Sequence, residues 1–290
     1  MHNENQQLRR PRRAPALATT YEGRNPKLLD RILPVVDFIE VTPDSLAGMN
    51  GNAPSIPEDK IRELQSVASE AHVIVHGVGL SIGSHDGVSD AYVRMLDQLL
   101  ECVPARWHSE HLGYVTVDGN HLGTMLAIPK TEPVLDMICE RVRIIQDRYS
   151  LPFLVENVAH VLPDYPGDYS EAGFLNELTR RTGCGLILDV YNLECDAYNH
   201  AFPIHEFLSE LDMRPVRELH LAGGVIHQGF KLDVHSRITA DSTVALARQV
   251  LGMAPNVEAI TYELLAEAIE KLGPETIGQE LERLAGALLN

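Results

Sequence analysis

One pattern constrains this chain more than any other. Short runs rich in strand-forming residues give way, eight times over, to longer helical patterns. The runs are 15–20, 35–41, 72–76, 106–111, 152–157, 185–190, 216–222 and 258–263. Most are bounded by Gly, Pro or Asp, and several are rich in Val, Ile and Leu, as strands buried on both faces must be. Between them, apolar residues recur every three or four positions. Ser89 caps a stretch carrying Val93, Leu96, Leu100 and Val103. Thr131, Glu132 and Pro133 open another that continues through Val134, Ile138, Val142 and Ile145. Pro274 opens a last one with Ile277, Leu281, Leu284 and Leu288. This alternation predicts an α/β fold, specifically a (β/α)8 TIM barrel, for which about 250 residues is the usual length. The predicted organisation is a flexible basic tail over 1–14 and one catalytic barrel domain over 15–290. An open doubly wound sheet is disfavoured, because no GxGxxG follows the first run. Gly77, Gly79 and Gly83 are followed by no Lys-Ser/Thr pair, so they read as close backbone packing at a strand end. The segment 46–57, rich in Gly, Pro and Asn, reads as a functional or mobile loop.

Composition narrows the function. The 290 residues carry 24 Lys plus Arg against 41 Asp plus Glu, a formal charge of −17. Such acidity argues against nucleic acid as a partner, since phosphate neutralisation needs clustered cations. The one basic cluster, Arg9, Arg10, Arg12 and Arg13, lies in the tail and reads as solvated. No apolar stretch follows it as in a secretory signal, and none reaches the length of a membrane span, so no membrane association is expected. Cys102, Cys139, Cys184 and Cys195 form no CxxC pair, which argues for a reducing, cytoplasmic setting and against thiolate metal sites.

The chemistry collects where the runs end. His76 ends HVIVH, Glu110 and His111 end RWHSEH, Glu156 and Asn157 end PFLVEN, Asp189 ends GLILD, His220 ends VRELH, and Glu263 ends AITYE. Barrel active sites lie at this carboxyl face. Ionisable groups gathered in an apolar barrel mouth are costly unless paired or metal-bound. The set His76, His111, His220, His235, Glu156, Asp189, Asp233 and Glu263 mixes imidazole with carboxylate, which suits Zn, Mn or Fe(II). Eight ligands exceed one metal's needs and imply two or three ions sharing bridging carboxylates. Adjacent strand residues face opposite ways, so His111 is favoured as ligand over Glu110. Glu40 reads either as a support to the site or as a surface carboxylate. His200 and His227 are candidates for a lid. His2, His72, His85, His108, His121, His160 and His205 read as ordinary packing or surface residues, and Trp107 as packed between barrel and helices. Ser81 and Ser84 lack a placed His-Asp pair, so a hydrolase triad is not supported.

The strings FIEVTPDSL, HGVGLSIGS, SEHLGY, LVENVAHV, GCGLILDVYNLECDAYNH, ELHLAGG and DVHSRI resemble the multinuclear non-haem iron-dependent oxidative enzymes. This is a formerly uncharacterised bacterial TIM-barrel family of the kind found in methanobactin biosynthesis. The resemblance runs in order from about residue 15 to 265. It implies an oxidoreductase that uses two or three iron ions, mixed Fe(II)/Fe(III), and O2 to modify a residue, typically Cys, in a ribosomally synthesised precursor peptide. It also implies a small partner protein that binds the peptide leader. Under the resemblance, the eight residues above are the metal ligands, and Glu156, Asp189, Asn157 and Asn192 form the catalytic set. Three motifs depart from the family's. DVNN reads DVYN with Tyr191, HLAGH reads HLAGG with Gly224, and the late ERD is blurred to YEL around Glu263. The residues themselves also fit a zinc-dependent hydrolase, endonuclease or sugar isomerase of the related barrel superfamily, or a non-catalytic metal-binding subunit of a peptide-modification complex.

Overall fold

The computed structural model describes residues 14–23, 25–50, 53–163 and 166–289. The tail expected over 1–14, with its four arginines, lies outside the described residues except for Ala14.

In chain order the elements open with β1 (Ala16–Thr20), α1 (Pro26–Ile32), β2 (Phe38–Val41), α2 (Pro43–Leu46), β3 (Gly48–Asn50), β4 (Ala53–Ser55), α3 (Glu58–Val67) and β5 (His72–Gly77). They continue with α4 (Asp90–Cys102), β6 (Ala105–His111), β7 (Gly113–Val117), β8 (Asn120–Ala127), α5 (Glu132–Arg148), β9 (Phe153–Glu156), α6 (Glu171–Thr182) and β10 (Gly185–Asp189). The chain closes with α7 (Val190–His200), α8 (Ile204–Glu210), β11 (Val216–Leu221), β12 (Val225–His227), β13 (Phe230–Leu232), α9 (Asp241–Met253), β14 (Ala259–Tyr262) and α10 (Ala266–Leu288). Eight strands close a barrel in the order β1, β14, β11, β10, β9, β6, β5, β2, and each neighbouring pair is parallel. This is the (β/α)8 barrel that the alternation predicts, and all eight predicted runs are its strands. Among the described residues three two-stranded hairpins, β3 with β4, β7 with β8 and β12 with β13, stand apart from it. The first falls within the segment expected to be a loop, and its three-residue strands are too short to leave a periodic signal.

Local chemistry sets the helix ends. Ser89 Oγ accepts the Tyr92 amide at the start of α4, and Ser170 Oγ accepts the Gly173 amide at the start of α6. Gly183, at φ 73°, closes α6 in the left-handed conformation that glycine takes freely. Thr131 makes no capping bond to α5. Asp168 reaches across instead and accepts the Glu132 amide at 2.9 Å. The α4 stripe is also rotated from the expected one: Tyr92, Met95, Leu96 and Leu99 are its buried residues, while Val93 and Leu100 are only partly covered.

Inside the barrel the strands read in layers, because side chains two apart on a strand share a face. The lower layer is Ala18, Phe38, Ile74, Trp107, Leu154, Ile187 and Ala259, with Glu218 from β11 in register beside Ile187 and Ala259. Trp107 therefore fills the barrel interior rather than the space between strands and helices. It shares the face of Ser109 and His111, and its Nε1–H donates to Glu218 Oε2 at 2.8 Å. Two residues further along each strand comes the second layer: Thr20, Glu40, His76, Ser109, Glu156, Asp189, His220 and Thr261. All eight are buried. An apolar plug thus sits directly beneath a polar ring.

Candidate metal centre

The ring is the site. His76 Nε2 lies 2.8 Å from Glu156 Oε2, and His111 Nε2 lies 3.4 Å from the same oxygen. The other carboxylate oxygen, Glu156 Oε1, lies 3.3 Å from His220 Nδ1, which also meets Glu263 Oε2 at 3.1 Å. Asp189 joins Glu156, His220 and Glu263 within a sphere of ligand atoms no more than 4.8 Å apart. Glu156 therefore presents its two oxygens to two different groups of ligands. At the mouth, His235 Nδ1 meets Glu263 Oε2 at 3.3 Å and its Nε2 meets Asp233 Oδ1 at 2.5 Å. The eight residues predicted as ligands thus converge on one place. The hydrogen-bonding groups around the rings fix two of the tautomers. Ser109 Oγ donates to Val75 O, so it accepts from His76 Nδ1–H at 3.0 Å. His111 Nδ1–H donates to the Gly77 carbonyl at 3.0 Å. Both rings therefore turn Nε2, rather than Nδ1, toward Glu156.

These residues fit a metal by an independent criterion. Glu156 Oε1 and Oε2, His76 Nε2, Asp189 Oδ2 and both ring nitrogens of His235 are buried without a hydrogen-bond partner. Buried polar atoms are normally satisfied, and such a concentration of exceptions marks a place for a cation. Ligand atoms about 2.1 Å from one ion lie about 3.0–3.4 Å from each other, the spacing found here.

Electrostatics agree. Burial alone would push the Glu156 carboxyl up, but His111, His220 and His76 outweigh it and hold it well below the usual carboxylate range. Burial would lower His76, yet Glu156 and Glu40 push it up to about 9. Carboxylates likewise overcome burial to hold His220 and His235 well above the ordinary imidazole value. Asp189 goes the other way: burial, then the charges of Glu156 and Asp233, push it far up. A pocket that draws protons onto its imidazoles and cannot ionise its last carboxylate is short of positive charge, which a divalent cation supplies.

Other predicted residues fall elsewhere. The Asn157 amide spends both ends on Asp189, accepting its N–H at 2.8 Å and donating to its C=O at 3.1 Å. Asn157 thus clamps the Asp189 backbone. The Asn192 N–H donates to Asp189 Oδ1 at 2.7 Å, and its side-chain amide donates to Asn157 O at 3.1 Å. His200 donates from Nε2 to the His160 carbonyl at 2.8 Å and packs on Phe230, away from the ring. His227 sits exposed on β12. Glu110 turns outward to His108 and Tyr92, as strand alternation requires. Gly77, Gly79 and Gly83 are closely overpacked, by Tyr92 and Glu110, by Asp44, and by Ile128 respectively, and none faces an anion site. At the Gly224 departure a side-chain carbon would overlap both the Leu232 carbonyl and the Tyr191 hydroxyl, so the backbone leaves no room there for a larger residue. The residues that strand-end reasoning missed are Ser109 and Glu218. Their signal is spacing, since each stands two positions before a predicted ligand.

A second buried cluster lies off the ring. His160 Nδ1 meets Asp196 Oδ2 at 2.6 Å, with Glu171 and Lys130 beyond it. Burial lowers the His160 imidazole, but Asp196 and Glu171 more than offset this and, against the opposing charge of Lys130, leave it raised. A raised folded-state imidazole contributes stability that is complete below its ordinary value, about 6.5, and is lost as pH rises through the raised one. His160→Asn is therefore expected to cost about 3 kcal/mol near pH 6, with the difference from wild type narrowing as the pH is raised. Urea denaturation across a pH series measures this; a difference that widens with pH would contradict it.

A cavity of about 900 Å3 opens at the opposite, amino end of the barrel beside Phe153, Gly185 and Glu258. Its arginines are engaged with acids, Arg180 with Glu177, Arg214 with Asp212 and Arg217 with Glu258. The chemistry is at the other end.

Comparison with known proteins agrees with this geometry. The family described as "RiPP precursor modification enzyme MbnB/TglH/ChrH" matches residues 23–274. A "UPF0276 protein" of Caulobacter vibrioides (strain NA1000 / CB15N) is 34% identical over 232 residues, 80% of each chain. Another from Rhizorhabdus wittichii is 35% identical over 249 residues, 85% of this chain and 80% of its own. The solved D-psicose 3-epimerase of Clostridium cellulolyticum H10 superposes with a TM-score of 0.54 at 12% identity, over 94% of this chain and 96% of its own, a likeness of fold alone.

Proposed function

The chain belongs to the MbnB/TglH/ChrH family of RiPP precursor modification enzymes, and from that premise we propose that it is an iron- and O2-dependent oxidase of a Cys residue in its precursor peptide. The observation that carries this reading is Glu156, a fully buried carboxylate whose two oxygens serve two separate ligand groups. His76, His111 and Glu156 hold the first position. Glu156, Asp189, His220 and Glu263 hold the second. Asp233 and His235 extend the set through Glu263 toward the mouth. Iron bound there supplies the redox chemistry and open coordination for a soft thiolate.

The protein supplies the rest. Ser109 Oγ and the Gly77 carbonyl keep His76 and His111 presenting Nε2. Asn157 and Asn192 grip Asp189 by its backbone and carboxylate. Trp107, Leu154 and Ile187 seal the ring from below, so the reacting residue enters only from the mouth, where Asp233 is the part-exposed member. No helix among the described residues is long and apolar enough to cross a membrane. The enzyme works in the cytoplasm on a peptide delivered by a small leader-binding partner.

The test is direct. Protein loaded with Fe(II) without oxygen is mixed with a Cys-containing precursor peptide and a small leader-binding protein. The expected result is a peptide mass change that begins only when O2 is admitted. Turnover supported equally by Zn(II), or without O2, would overturn the proposal and favour hydrolytic or isomerase chemistry.

A further inference from the structure

One carboxylate of the ring, Glu40, stands outside the predicted ligand set. Glu40 is 1% exposed, and neither of its oxygens makes a hydrogen bond. Its Oε2 lies 3.2 Å from His220 Nε2, and Glu218 Oε1 lies 3.4 Å from the same nitrogen. The opposite nitrogen of that ring, Nδ1, is the one that faces Glu156 and Glu263.

We propose that Glu40 is the positioning residue for His220, fixing the tautomer that offers Nδ1 to the second metal position. The inference rests on the metal-centre reading above. An imidazole that ligates through Nδ1 carries its proton on Nε2. In the barrel interior that proton needs an acceptor, because a buried unpaired N–H is costly. Two acceptors are in reach, and they are not equivalent. Glu218 already accepts from Trp107 Nε1–H at 2.8 Å and from the Thr261 hydroxyl at 2.5 Å. Glu40 accepts from nothing. Glu218 is thus held rigid by its donors and closes one side of the pocket, while Glu40 has the spare capacity to take the Nε2 proton. A carboxylate behind a ligating imidazole also raises its basicity, and loss of such a partner typically weakens metal binding about 10–100-fold.

The experiment compares wild type, Glu40→Gln, Glu40→Leu and His220→Ala, loaded with Zn(II) as a redox-silent probe and titrated with a chromophoric chelator. Metal per chain is counted alongside, and circular dichroism confirms that each variant is folded. Glu40→Leu is expected to weaken the second position about 10–100-fold and leave the first unchanged. Glu40→Gln, which keeps an acceptor oxygen, is expected to recover most of the loss, and His220→Ala to lose the second position outright. Nitrogen-15 spectra of the zinc-loaded wild type are expected to show His220 protonated at Nε2 and metal-bound at Nδ1. Unchanged affinity in Glu40→Leu, or a metal on Nε2, would overturn the role of Glu40 while leaving the metal centre intact. A wild type that takes up no metal would instead remove the metal-centre reading, and this one with it.

Discussion

Glu156→Ala is expected to yield a folded protein with only a trace of bound metal and no measurable turnover. The reason is geometric. Glu156 faces His76 and His111 with one oxygen and His220 with the other. Its loss removes a ligand from both positions together. Metal-ion stabilisation is worth several kcal/mol of barrier, so the rate should fall by roughly a thousandfold or more. His76→Ala, by contrast, touches one position and should lower the metal count without abolishing it. Elemental analysis of the two variants side by side reads the difference. Equal metal loss in both would argue that the two groups of ligands are not separate positions.

Gly77→Ala is expected to have the largest effect on folding. A side-chain carbon at 77 would overlap Tyr92 Oη and Glu110 Oε1 outright and lie 2.7 Å from the Glu110 carboxyl carbon. Tyr92 and Glu110 are both buried, so neither can swing clear. Overpacking a rigid site commonly costs about 1–3 kcal/mol, and here two polar groups must also move, so about 3 kcal/mol or more is expected. The consequence extends to the metal centre, because the Gly77 carbonyl fixes the His111 ring. Thermal or urea unfolding of the metal-free variant separates the stability loss from the ligand loss. A variant as stable as wild type would show that α4 and β6 yield more easily than their packing implies.

The barrel and its ring of polar residues are legible for the same physical reason. Parallel strands covered by helices on one face and a packed interior on the other are short apolar runs, and an ionisable residue at the end of such a run stands out. His76, Glu156, Asp189 and His220 are all visible this way. Residues that are not at a run's end are harder to see. Glu218 and Ser109 lie mid-strand, and their roles emerge only from the two-residue layering that the closed barrel imposes. Trp107 obeys the same rule, but in a strand buried on both sides composition does not distinguish inward from outward. Glu40 carries two readings in the sequence because its environment is built by His220, far along the chain. The pairing of His160 with Asp196 is equally non-local, joining the loop after β9 to α7. The three hairpins stayed hidden because two of them have strands of three residues, and β7 with β8 follows β6 after a single residue.

Iron at the ring is tested most directly on protein purified without oxygen from cells grown on iron, by elemental analysis and Mössbauer spectroscopy. The expected result is at least two magnetically coupled irons per chain, falling to a trace in Glu156→Ala. A protein that carries only zinc, or a single uncoupled iron, would contradict it.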